Sequence, residues 1–85
     1  MIRQPITIQI ASGLEARPAA MLVQTASQYD SDIYFELGTK RINAKSIMGM
    51  MTLGLNVGDE VTVFVSGSDE QEAFTSIEKY LISEK

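Results

Sequence analysis

Residues 6–27 read ITIQIASGLEARPAAMLVQTAS, and the hydrophobic period changes once inside them. Upstream, Ile2, Ile6, Ile8 and Ile10 alternate with Arg3, Pro5, Thr7 and Gln9. A period of two predicts a strand with one buried face. Ser12-Gly13 ends that strand. Pro18 then suits the first turn of a helix, where a missing N–H costs nothing. Ala16, Ala19, Ala20, Val23 and Ala26 follow at helical spacing, which predicts an amphipathic helix over about 16–28. Its alanines predict close packing on a sheet.

Working outward, Ile33, Phe35 and Leu37 alternate with Tyr34 and Glu36 as a second strand. Gly38-Thr39 turns the chain, and Lys40–Asn43 returns as a short third strand. Ser46 precedes the apolar run IMGMM, the pattern of a helix N-cap, and Gly49 and Gly54 keep this helix short. NVGD at 56–59 is a turn. Val61, Val63 and Val65 alternate with Thr62 and Phe64 as a fourth strand. Ser68 with Gln71 three residues on fits a capping box, and Phe74, Ile77 and Leu81 form the inner stripe of a final helix over about 69–83. The order β-α-β-β-α-β-α mixes hairpins with helical crossovers and is therefore α+β. Alternating strands imply an antiparallel sheet with helices on one face and water on the other. A ferredoxin-like split βαβ arrangement shares the first six elements and is the alternative.

At 85 residues, 1–85 is expected to be one small domain. Its N-terminus alternates and does not read as a signal peptide, and no apolar run reaches the length of a membrane span. Cysteine is absent, so there are no disulfides, thiol nucleophiles or thiolate metal sites. Histidine is absent too. Zinc thereby loses its two commonest ligands, and every Ser–His or Asp–His catalytic pair is excluded. The formal net charge of −4 argues against direct nucleic-acid binding. Lys40, Arg41 and Lys45 cluster locally, as a solvated turn would. No Gly-rich phosphate loop is present, and no pair of carboxylates can be given acid and base roles, so no enzyme is expected.

Three features remain. Glu15 and Arg17 read either as a charged helix start or as a corner that handles anions or a partner, since arginine offers a planar fork to phosphate or carboxylate. Ser46 reads either as a plain cap or as a phosphorylation site, where the helix dipole favours an added phosphate and Lys45 adds positive charge. Ile47, Met48, Met50 and Met51 cannot all face inward on so short a helix. At least one or two of them must be exposed, either at the edge of a filled core or as an adaptable binding patch.

Together these stretches carry a resemblance. Gly13-Leu14-x-Ala16-Arg17-Pro18-Ala19 resembles the active-site motif of HPr, the small phosphocarrier of the sugar phosphotransferase system. Lys45-Ser46-Ile47-Met48-Gly49, preceded by Asn43-Ala44, is similar to its regulatory-serine motif. The resemblance spans essentially the whole chain. It implies an open-faced sandwich: a four-stranded antiparallel sheet in the order first, fourth, second, third, with three helices on one face. HPr carries its phosphate-accepting histidine between Leu14 and Ala16, and this chain has Glu15 there. A fixed negative charge repels an incoming phosphoryl group, so carrier chemistry is not expected.

A replaced histidine with an intact serine resembles the catabolite-repression branch of the family. That branch typically has glutamine at this position, so Glu15 is a departure, either neutral in effect or imitating phosphohistidine. The resemblance implies a cytoplasmic regulatory protein without cofactor or metal. HPr kinase/phosphorylase would modify Ser46, and the product would bind catabolite control protein A, a transcriptional repressor. Glu15, Arg17, Lys45, Ile47, Met48 and Met51 would form the partner surface, and the repressor would contact the DNA. The other readings are a phosphocarrier using Glu15 and a constitutive module in which Glu15 mimics phosphohistidine. A monomer is expected in dilute solution, with strand-swapped dimerisation conceivable through the Ser12-Gly13 connection.

Overall fold

The computed structural model describes residues 1–9 and 16–82, the side chains of residues 16 and 17 apart. In chain order the elements are β1 (Ile2–Thr7), α1 (Ala16–Ser27), β2 (Asp32–Leu37), β3 (Lys40–Asn43), α2 (Ile47–Met51), β4 (Glu60–Ser66) and α3 (Glu70–Leu81). The four strands form one antiparallel sheet in the order β1-β4-β2-β3. β4 and β2 are central, so the ferredoxin-like alternative, which needs the first and third strands at the centre, is excluded.

The alternation read from the sequence sets the register. Ile2 lies opposite Val65 and Ile6 opposite Val61, while Ile33 lies opposite Val65 and Phe35 opposite Val63. These side chains share the helix-covered face, and most are fully buried with Ala19, Leu22 and Ala26 of α1 and Ala73, Phe74, Ile77 and Leu81 of α3. Ala19 and Ala26 let α1 approach closely. Leu22, three residues after Ala19 and four before Ala26, is the large side chain of that stripe, which the alanine spacing does not announce. Ala20 and Val23 sit half-buried at its margins.

On the open face, Arg41 stacks its guanidinium 4.1 Å from the Tyr34 ring centroid and 5.1 Å from that of Phe64. Glu36 accepts from the Arg3 Nε at 3.0 Å. Cation–π contact and ion pairing thus cover the aromatic part of the face that no helix reaches. The β2–β3 connection has Gly38 at φ 62° as its first loop residue, the conformation a two-residue type II′ turn requires.

Two boundaries differ from the sequence reading. β1 stops at Thr7, because its partner β4 begins at Glu60. Ile8 is still fully buried, and both its backbone groups bond to the 56–59 turn, with its N–H on the Asp59 carbonyl and its carbonyl receiving the Gly58 N–H, both at 2.8 Å. Ile10 and Ser12-Gly13 lie outside the described residues, as does Ser83 at the expected end of the last helix. The Ser68 capping box does not form. Asp69 is the N-cap of α3, and its side chain makes no capping bond. Its carboxylate instead accepts the Asp30 N–H at 2.9 Å, the Ser31 N–H at 3.0 Å and the Ser31 hydroxyl. The local bond comes from the next residue: Glu70 Oε1 accepts the Gly67 N–H at 3.1 Å. Tertiary demand on Asp69 outcompetes the local motif. Gly67 is required beside it, since a Cβ there would stand 2.6 Å from the Ser31 Cα.

Candidate functional site

Ser46 has extended backbone angles, φ −102° and ψ 111°, and its hydroxyl accepts the Gly49 N–H at 3.2 Å. It is therefore an N-cap, as its place before IMGMM predicts. Gly49 makes the tight closure possible: a Cβ there would lie 2.9 Å from the Ile42 methyl of β3 and 3.3 Å from the Ser46 hydroxyl. Thr52 closes the far end, donating its hydroxyl to the Gly49 carbonyl at 2.6 Å. α2 is only five residues long and packs against α1 and β3.

One methionine holds it there. Met50 is fully buried, whereas Met48 is 78% exposed, Met51 51% and Ile47 41%. The short helix cannot bury all four side chains, and it divides them one in, three out. Ser46 is itself exposed, so its hydroxyl, which accepts the Gly49 N–H, stands at the edge of an apolar surface.

The turn before Ser46 is closely bonded. The Ser46 N–H donates to the Asn43 carbonyl at 3.0 Å, and the Lys45 N–H donates to Asn43 Oδ1 at 2.8 Å. The Lys45 ammonium reaches away to the Tyr29 carbonyl, just past α1, at 2.6 Å. That destination was not legible in the sequence, which placed the lysine charge simply beside the serine. Two further groups act near the other motif. The Tyr80 hydroxyl donates to the Pro18 carbonyl in the first turn of α1 at 2.9 Å, and the Gln9 N–H donates to the Leu81 carbonyl at 2.8 Å. Burial pushes the Tyr80 phenol up from its ordinary value of 10.0. The last turn of α3 thereby holds the chain on both sides of the first motif. Glu15 lies outside the described residues. Arg17 is placed by its backbone in the first turn of α1, and its side chain lies outside them.

Among the described residues no three His, Cys, Asp or Glu side chains are grouped to hold a metal ion, and no helix is long and apolar enough to cross a membrane. What the arrangement offers is an exposed hydroxyl on a fixed turn, with an apolar surface next to it.

A family model described as the PTS HPr component phosphorylation site matches residues 2–83. The HPr-like protein Crh of Bacillus subtilis is 44% identical over 84 residues, 99% of each chain. The crystal structure of the phosphocarrier protein HPr from Bacillus anthracis superposes with a TM-score of 0.90 at 39% identity, covering 94% of this chain and 95% of that one. A crystal structure of Bacillus subtilis Crh, described as a swapped dimer, gives 0.78 at 44% identity, covering 99% and 97%. These relatives are phosphocarrier or regulatory proteins by name.

Proposed function

The chain belongs to the HPr family, among its Crh-like regulatory members, and from that premise we propose that it is a phosphorylation-controlled corepressor switched at Ser46. HPr kinase/phosphorylase is the modifying enzyme. The Ser46 Oγ attacks the γ-phosphorus of ATP, the new P–O ester forms as the β–γ bridge breaks, ADP leaves, and the hydroxyl proton passes to a base of the kinase. The phosphoserine adds about −1.5 to −2 of charge. It then pairs with basic side chains of catabolite control protein A, while Ile47, Met48 and Met51 supply apolar contact and Arg17 a polar one. The name of the Bacillus subtilis relative, a catabolite-repression HPr, supports this assignment.

The observation that carries the reading is the exposed Ser46 hydroxyl beside three exposed apolar side chains on a helix anchored by Met50. Glu15, where phosphocarriers of the family hold histidine, argues against phosphate relay: the imidazole nucleophile is missing, and no residue of the chain is a histidine. The protein acts in the cytoplasm, needs no cofactor and leaves DNA contact to the repressor. Phosphopeptide mapping after incubation with the kinase and ATP tests the proposal. Phosphate on Ser46 is expected. Phosphate elsewhere with Ser46 unmodified, or phosphate-dependent repressor binding by Ser46→Ala, refutes it.

A further inference from the structure

We propose that Asn43 and Lys45 are positioning residues for Ser46: they fix the turn that presents its hydroxyl, so the modifying enzyme reads a folded turn. This inference rests on the Ser46 reading given above. Residues 43–46 are all bonded upstream of the hydroxyl. The Asn43 carbonyl takes the Ser46 N–H and its side-chain oxygen takes the Lys45 N–H, an Asx-type turn. Ala44 is fully buried and donates its N–H to the Ile33 carbonyl at 2.9 Å. Downstream, the Gly49 N–H on the Ser46 hydroxyl and the Met50 N–H on the Ser46 carbonyl hold the other side.

Lys45 extends this fixation beyond the turn. Its ammonium lies on the Tyr29 carbonyl, sixteen residues back. Backbone carbonyls just past a helix C-terminus carry partial negative charge, and a lysine there is well placed. The anchor is itself fixed. The Tyr29 N–H bonds the Ala26 carbonyl, its hydroxyl bonds Ser76 on α3 at 2.5 Å, and the next two N–H groups bond Asp69. The turn that carries Ser46 is thus tied to α1 and, through Tyr29, to α3. A hydroxyl held in one geometry requires less ordering to reach an in-line approach to phosphorus, and this gain appears in the chemical step.

Steady-state phosphorylation of the full chain by HPr kinase/phosphorylase with ATP, together with thermal denaturation of every variant, tests the inference. Asn43→Ala and Lys45→Met are each expected to lower kcat about three- to tenfold, the effect of losing one hydrogen bond from the organised turn, with KM moving less than about twofold. Asn43→Ser, which keeps a side-chain acceptor, and Lys45→Arg, which keeps a cationic donor, are expected to retain most of the rate. The double variant should lose less than the product of the single losses, because both residues hold one turn. Should Lys45→Met fail to fold, Asn43→Ala and Asn43→Ser decide. Unchanged kcat in folded single variants overturns the inference, and so does a loss confined to KM, which makes the two residues docking contacts for the kinase. If the wild-type protein takes no phosphate at Ser46, the Ser46 reading and this inference both fail. If it does and the variants match it, this inference alone fails.

Discussion

Replacing Met50 by alanine separates the anchor of α2 from its exposed surface. The change removes the thioether arm of a fully buried side chain. At about 0.8 kcal/mol per buried CH₂-sized group, transfer alone accounts for roughly 2.4 kcal/mol. A residual cavity brings the total to about 3 kcal/mol, within the range for buried Met→Ala changes. A protein of 85 residues has a total stability of roughly 4–13 kcal/mol at typical per-residue values. The loss is therefore a large part of the whole, and corresponds to a fall in Tm of roughly 12–24 °C for this size. Met48→Ala, at a side chain 78% exposed, should cost less than about 0.5 kcal/mol. Urea and thermal unfolding followed by circular dichroism measure both, with equal m-values as the check that the same surface unfolds. If the two variants are equally stable, or if Met48→Ala is the costlier, the one-in, three-out division of α2 is wrong. The same Met48→Ala protein, folded, should bind the phosphate-dependent repressor more weakly.

Gly67→Ala should destabilise the fold by about 1–3 kcal/mol in denaturant titration, because the new methyl collides with the Ser31 backbone. The Ser31 hydroxyl, with the Asp30 and Ser31 N–H groups, holds the Asp69 carboxyl below its ordinary 3.8. A depressed carboxyl contributes stability that is present above the unfolded value and lost as pH falls through the folded one. Acid titration of Asp69→Asn should accordingly show a shallower loss of stability below pH 3.8. Some slope should remain, because the N-terminal ammonium and the Gly67 N–H lower Glu70 in the same way. Arg17→Ala should weaken the phosphorylated repressor complex by about 1–3 kcal/mol in calorimetry, while an unchanged affinity removes Arg17 from the interface. Incubation with phosphoenolpyruvate and enzyme I should add no mass to the protein, and a gain of one phosphoryl group would return carrier chemistry to Glu15.

β2 and β4 were legible because each has a single buried face, so alternation gave their sidedness. β3, with no fully buried side chain, was legible from the Gly38-Thr39 turn before it, and the strand order came from the family resemblance. Ser46 was legible because an N-cap is a local bond between residues three apart. Asp69 was not, since the same local logic put the α3 cap at Ser68. The side chain that decides that corner instead answers donors 38 and 39 residues away. Leu22 was not legible because the regular spacing of four alanines masks the larger residue between them. The Lys45 tether to Tyr29 is likewise long-range, and no spacing rule reports where a flexible ammonium settles.

The division of α2 also gives this surface an oxidation chemistry. The chain contains no cysteine, so its only sulfur is the thioether of five methionines, and Met50 alone among them is sealed in the core while Met48 and Met51 lie open. An oxidant reaches Met48 and Met51, like the equally open Met1 and Met21, before Met50, and converts each to a polar sulfoxide. The apolar character that the proposed repressor contact needs is lost there, yet the buried anchor is untouched and the helix stays in place. The exposed apolar surface of α2 is thereby one that peroxide can turn polar without unfolding the protein.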